Sequence, residues 1–171
     1  MNEHYINLDS MIQLDNINNI LDAGSGRTSL GYLIYKFPNA NIDAIIFPGD
    51  NRKIDSIREN VKGIYNLKEI DLCNTSINES YDLVLAHLLL GEATKFGNKF
   101  EDLLNRLLNI NSKYFLIYDL KEDIGVNYNY IEQVLKEKGF QIIKHMTFKK
   151  EEEQSFGDFI GRNYIAYLVK K

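Results

Sequence analysis

Short apolar runs alternate with apolar stripes at helical spacing along most of the chain, the pattern of buried strands interleaved with amphipathic helices. Tyr5, Ile6, Leu8, Met11, Ile12 and Leu14 predict one short helix within a brief leader over residues 1–17. Ile20 and Leu21 form a short strand. Leu30, Leu33, Ile34 and Phe37 then fall at i, i+3, i+4 and i+7, one helical face that stops at Pro38. A second strand spans Ile42 to Phe47, and Asn51 is placed to cap a helix whose inner face carries Ile54, Ile57 and Val61. Tyr65 to Ile70 reads as a weaker third strand and Tyr81 to Ala86 as a fully buried fourth.

Phe100, Leu103, Leu104, Leu107 and Leu108 mark a helix beginning near Asn98, and Lys113 to Asp119 a fifth strand. Tyr130, Ile131, Val134 and Leu135 mark another helix, which Gly139 ends in a left-handed cap. Gln141 to Phe148 is a sixth strand and Tyr164 to Val169 a seventh, with the polar loop Lys149 to Ser155 after the sixth. Such alternation predicts an α/β fold: a doubly wound, mostly parallel seven-stranded sheet with helices on both faces. The last strand is expected antiparallel, because the loop before it is too short for a parallel crossover.

At 171 residues, 44% hydrophobic and 26% charged, the chain has the composition of one ordinary globular domain, residues 1–171. A net charge of −4 argues mildly against a large nucleic-acid footprint. Lys144, Lys149, Lys150, Arg162, Lys170 and Lys171 are scattered as on a solvated face. No apolar run is long enough to span a bilayer and no signal peptide is visible, so a cytoplasmic protein that does not engage a membrane is expected. The single cysteine, Cys73, fits a reducing compartment and reads as a small buried side chain at a strand edge.

The candidate chemistry lies at Asp22-Ala23-Gly24-Ser25-Gly26, where the first strand turns into the first long helix. Gly24 and Gly26 let the backbone turn sharply and approach a ligand, and Thr28 or Ser29 can cap the helix that follows. A dinucleotide fingerprint wants a third glycine where this chain has Ser29, and the Asp22 carboxylate would repel a pyrophosphate. An acid there suits a ligand bearing a positive amino group. The stretch resembles the first motif of class I S-adenosylmethionine-dependent methyltransferases, and the predicted strand order resembles their sheet from residue 18 onward.

That resemblance implies a methyltransferase whose glycine turn, Asp22, Ala23, Gly24, Ser25, Gly26 and Thr28, holds the amino-acid end of S-adenosyl-L-methionine and releases S-adenosyl-L-homocysteine. It also implies an acid after the second strand for the ribose hydroxyls. This chain has Phe47-Pro48 there, with Asp50 slightly late. Either Asp50 reaches back, or the ribose is held differently, or the site is degraded; Asp50 also reads as a plain turn residue. Phe47 suits an adenine face or the core. Asp71-Leu72, after the third strand, match the position that meets the adenine amino group and ring, although an Asp there also suits a turn.

After the fourth strand, Ala86-His87 stand where substrate and catalytic groups emerge in the family. His87 is the candidate general base, with a structural histidine as the equal alternative; His4 and His145 have no supporting context. Neither the Asn/Asp-Pro-Pro-Tyr/Phe motif of amine methylation nor a Pro-Cys nucleophile is present. Asp119 lacks a matching acid after the fourth strand, so no metal is expected. The acceptor, whether small molecule, protein or RNA, is left open. The brief leader implies either an open site or one completed by a second copy in a homodimer. A catalytically silent binding or scaffold protein is the competing reading, and a nicotinamide-dependent oxidoreductase is disfavoured by Asp22 and Ser29.

Overall fold

A computed structural model describes residues 3–95, 97, 99–121, 128–149 and 163–171. Seven strands form one sheet: β1 (Asn19–Ala23), β2 (Asn41–Ile46), β3 (Asn66–Glu69), β4 (Ser80–His87), β5 (Asn111–Leu120), β6 (Gln141–Lys149) and β7 (Asn163–Lys170). Among the described residues six helices accompany them: α1 (Glu3–Met11), α2 (Arg27–Lys36), α3 (Asn51–Asn60), α4 (Leu89–Lys95), α5 (Phe100–Leu108) and α6 (Tyr128–Glu137). The strand order is β3-β2-β1-β4-β5-β7-β6. The first five positions run parallel, and β7 pairs antiparallel with both β5 and β6. The expected sheet is therefore the observed one.

Period-two alternation explains the two layers. On β4, Leu83 and Leu85 join Ile20 of β1 and Leu116 of β5 in a core under α1, α2 and α3. Val84 and Ala86 face the other way, against α4, α5 and α6, with Leu21, Phe115 and Ile117. A strand buried on both faces is what a continuous apolar run such as Leu83 to Ala86 encodes.

Element ends differ from expectation in instructive places. The cap of α2 is Gly26 rather than Thr28 or Ser29, because the helix starts at Arg27; Ser29 sits one turn in and its hydroxyl accepts the Gly26 N–H at 3.2 Å. Asp50, not Asn51, caps α3, its Oδ1 accepting the Lys53 N–H at 3.1 Å. Gly139 does adopt the left-handed conformation, at φ +79, after α6. The expected start of α5 near Asn98 and most of the polar loop Lys149–Ser155 lie outside the described residues, as do Lys150 and Arg162. Lys144 is not merely solvated, since its ammonium donates to the Ser10 carbonyl below α1.

Helix α4 has no counterpart in the sequence-based expectation. Asp119, buried at the end of β5, holds its first turn: Oδ2 accepts the N–H groups of Leu90 (3.0 Å) and Gly91 (3.2 Å). A carboxylate at these donors also complements the positive end of the helix. Asp119→Ala is expected to lower stability by about 2 kcal/mol, read as a shifted urea midpoint. An unchanged midpoint would show that α4 does not depend on this contact.

Candidate active site

Parallel sheets of this type bind ligands outside the carboxyl ends of the strands, where the strand order reverses. Here the reversal lies between β1 and β4, and a cavity of about 660 Å³ opens beside Gly24. That volume is within the range of small-molecule sites. Phe47, Pro48, Gly49 and Asp50 line it from the end of β2, and Ile70, Asp71, Leu72 and Cys73 from the end of β3. Leu89, Glu92 and Ala93 reach it from α4, and Lys53 from α3.

The bend itself is braced from within. Gly24 has φ +75, a conformation that side chains beyond glycine disfavour. A Cβ at this position would lie 2.5 Å from Leu89 Cδ1, so the α4 leucine packs directly on the bare backbone. Asp22 is fully buried at the end of β1, and its Oδ2 accepts the hydroxyls of Ser25 (2.6 Å) and Ser29 (2.8 Å). The Ser25 N–H donates to the Ile45 carbonyl of β2 at 2.7 Å. Desolvation pushes the Asp22 carboxyl up to about 6, against the opposing pull of both serines and of the Lys53 charge. Asp22 Oδ1 has no hydrogen-bond partner among the described residues. A buried, half-satisfied carboxylate beneath a glycine bend favours positive ligand charge nearby.

Of the residues singled out in the sequence, Gly24, Phe47, Asp50, Asp71 and Leu72 come together around the cavity. Phe47 is 58% exposed there, an aromatic surface with no core to fill. Asp50 is committed to its α3 cap. Asp71 is engaged in its own turn, Oδ1 accepting the Cys73 N–H (3.0 Å) and Oδ2 the Asn74 amide (2.6 Å). Asp22, Ala23, Ser25, Gly26, Thr28 and Ala86 are not part of the lining; Asp22, Ala23, Ser25 and Ala86 are buried behind it. The one acid of β2, Asp43, lies away from the crevice, bonded to the Tyr81 hydroxyl at 2.7 Å and paired with Lys68 at 3.2 Å.

His87 ends β4 on the far side of the bend, buried and stacked on Tyr118 with ring centroids 5.1 Å apart. Its Nε2 lies 3.4 Å from His4 Nδ1, so the leader histidine does have a context: α1 covers this end of β4. Burial, then the neighbouring His4 and Lys53, push the His87 imidazole down to about 3. It is therefore neutral at physiological pH.

Two contributors were missed in the sequence. Lys53 and Glu92 meet across the cavity, Nζ to Oε2 3.3 Å. The leucine run Leu88-Leu89-Leu90 ahead of Glu92 was the available signal for α4.

The sheet order, the antiparallel β7 next to the edge and a crevice at the β1 bend together define the class I methyltransferase fold. No protein-family model and no curated protein matches the sequence. Solved structures of low identity share the fold. The magnesium protoporphyrin IX methyltransferase of Synechocystis, with bound S-adenosylmethionine, is 15% identical, with TM-score 0.70 over 98% of this chain and 80% of its own. A TehB-like S-adenosylmethionine-dependent methyltransferase of Corynebacterium glutamicum is 19% identical, with TM-score 0.66 over 98% of this chain and 86% of its own. An rRNA methylase of Escherichia coli is 18% identical, with TM-score 0.61 over 99% of this chain, which spans only 63% of that enzyme. No described helix is long and apolar enough to cross a membrane.

Proposed function

We propose that this chain binds S-adenosyl-L-methionine in the crevice beside Gly24 and transfers its methyl group to an acceptor. The observation that carries the reading is the convergence of Gly24, Phe47, Asp71 and Leu72, from three different strand ends, on one cavity of about 660 Å³. The residues fit the cofactor. Gly24 lines the crevice with no side chain of its own while Leu89 packs where a Cβ would stand, Asp22 supplies negative potential beneath it with one oxygen unpartnered, and Phe47 offers an exposed ring for a nucleobase. Leu72 and Leu89 give the crevice apolar walls.

When bound, the cofactor supplies an activated methyl group for in-line displacement. The chain's own contribution is positioning, which supplies much of the rate of such a step. Ser25 and Ser29 hold the bend through Asp22, and Asp119 holds α4 so that Leu89 closes on Gly24. His87, neutral and stacked on Tyr118, is a poor proton acceptor at neutral pH, so its contribution is to shape the end of β4 beneath α1. The neighbours show that the fold serves different acceptors, since one is named for rRNA and another for magnesium protoporphyrin IX.

Calorimetric titration with S-adenosyl-L-homocysteine tests the reading. Saturable heat is expected from the native chain, with at least a tenfold loss of affinity in Asp22→Ala. That change leaves the Ser25 hydroxyl without its acceptor and Ser29 with only the longer contact to the Gly26 carbonyl. Absence of saturable heat in the native chain would leave a fold that has lost its cofactor.

A further inference from the structure

Within the cofactor reading, on which this inference rests, we infer that Lys53 and Glu92 together recognise the amino-acid end of the ligand: Lys53 takes its carboxylate and Glu92 its ammonium. Four observations place them there. Both side chains line the cavity. The Lys53 ammonium lies 3.3 and 3.4 Å from the two Glu92 oxygens, so one cation and one anion stand side by side over the crevice. Lys53 Cε comes within 4.0 Å of where a Cβ on Gly26 would be, and Glu92 rides on α4 three residues after Leu89, which packs on Gly24. The pair therefore stands over both glycines of the bend.

The other carboxylates of the site are bound into local turns or stand behind the bend. Asp50 caps α3 through the Lys53 N–H, Asp71 closes its own turn, and Asp22 lies behind the backbone with two serine hydroxyls on one oxygen. Among the described cavity-lining acids, Glu92 is the one that meets a flexible lysine rather than its own local backbone. The two side chains are 28% and 44% exposed, and an ion pair that wet contributes little, so exchanging it for two ligand charges costs little. Charge-assisted hydrogen bonds to the ligand replace the one that is opened. A zwitterion suits this arrangement better than a phosphate, which would meet Glu92 in front and Asp22 beneath. The pair thus makes the crevice selective for a nucleoside that carries an α-amino acid.

The test compares two probes that share the thioether nucleoside and differ in the amino-acid end: S-adenosyl-L-homocysteine and 5′-methylthioadenosine. In calorimetry, Lys53→Gln and Glu92→Gln are each expected to weaken S-adenosyl-L-homocysteine tenfold or more and to leave 5′-methylthioadenosine within twofold. The exchanged chain Lys53→Glu with Glu92→Lys keeps an ion pair but presents each charge from the wrong helix, so affinity for S-adenosyl-L-homocysteine is expected to stay low. Its restoration in the exchanged chain would show that the pair only ties α3 to α4 and would overturn the inference. Equal binding of the two probes by the native chain would overturn it as well, while sparing the nucleoside site. Failure of the native chain to bind either probe would instead overturn the cofactor reading, and this inference with it.

Discussion

Replacing Gly24 by valine is expected to abolish measurable binding of S-adenosyl-L-homocysteine while the chain still folds. Two effects act together at this position. Its φ of +75 lies where a β-branched residue is strained, at a cost of roughly 1–3 kcal/mol. The new Cβ would also begin 2.5 Å from Leu89 Cδ1, so Leu89 must swing aside and the two further methyl groups of valine must find room beside it. The displaced leucine belongs to α4, which also carries Glu92, so wall and charge pair move with it. An affinity loss of a hundredfold or more is expected by calorimetry, with far-ultraviolet circular dichroism unchanged. Native-like affinity in a folded Gly24→Val chain would remove the bend from the site.

The second large effect is in the response to acid, where two buried groups act in opposite directions. His87 falls from an ordinary 6.5 to about 3 on folding. Between those values the unfolded chain takes up a proton that the folded chain refuses, so stability is lost as the pH drops from 6.5 towards 3. The full loss is roughly 5 kcal/mol. Asp22 rises from 3.8 to about 6, so between those values the folded chain holds a proton that the unfolded chain has released. Acidification through that window adds stability, up to roughly 3 kcal/mol. These two contributions leave a net acid loss of about 2 kcal/mol.

The variants separate them. His87→Phe keeps an aromatic ring against Tyr118 and removes the titration, so its urea midpoint is expected to hold or rise from pH 7 to pH 4. Asp22→Asn removes the offset, and its midpoint is expected to drop more steeply than that of the native chain. Parallel acid profiles for all three chains would refute both assignments.

How much of this was legible beforehand follows from the range of the forces involved. The strands were readable because burial on both faces demands uninterrupted apolar runs, as in Leu83-Val84-Leu85-Ala86. The bend was readable because Gly24 and Gly26 flank a serine just beyond Asp22-Ala23, and backbone conformation is a local property. Helix α4 was not, since at seven residues it completes too few turns to show a stripe, and its first turn is secured by Asp119, some thirty residues further along. The cap of α3 was displaced by one residue for a similar reason: Asp50 and Asn51 are both good caps, and the Pro48-Gly49 turn decides which of them leaves the helix.

The Lys53–Glu92 pair and the His4–His87 contact lie 39 and 83 residues apart in sequence. No periodicity encodes such meetings, which exist only because the sheet brings the ends of β1, β2 and β4 to one edge. The ribose-binding acid expected after β2 is a different matter. Its absence was plain in Phe47-Pro48, and the structure adds that Asp50 has its Oδ1 committed to the Lys53 N–H.

Cys73 is the sole thiol of the chain, and it stands in the wall of the crevice beside Asp71. Burial, followed by the Asp71 charge, raises its pKa, which keeps the sulfur protonated and slow to alkylate at neutral pH. Alkaline conditions turn that same sulfur into a single attachment point for a fluorophore, so occupancy of the crevice can be followed optically without engineering a second cysteine or removing a first.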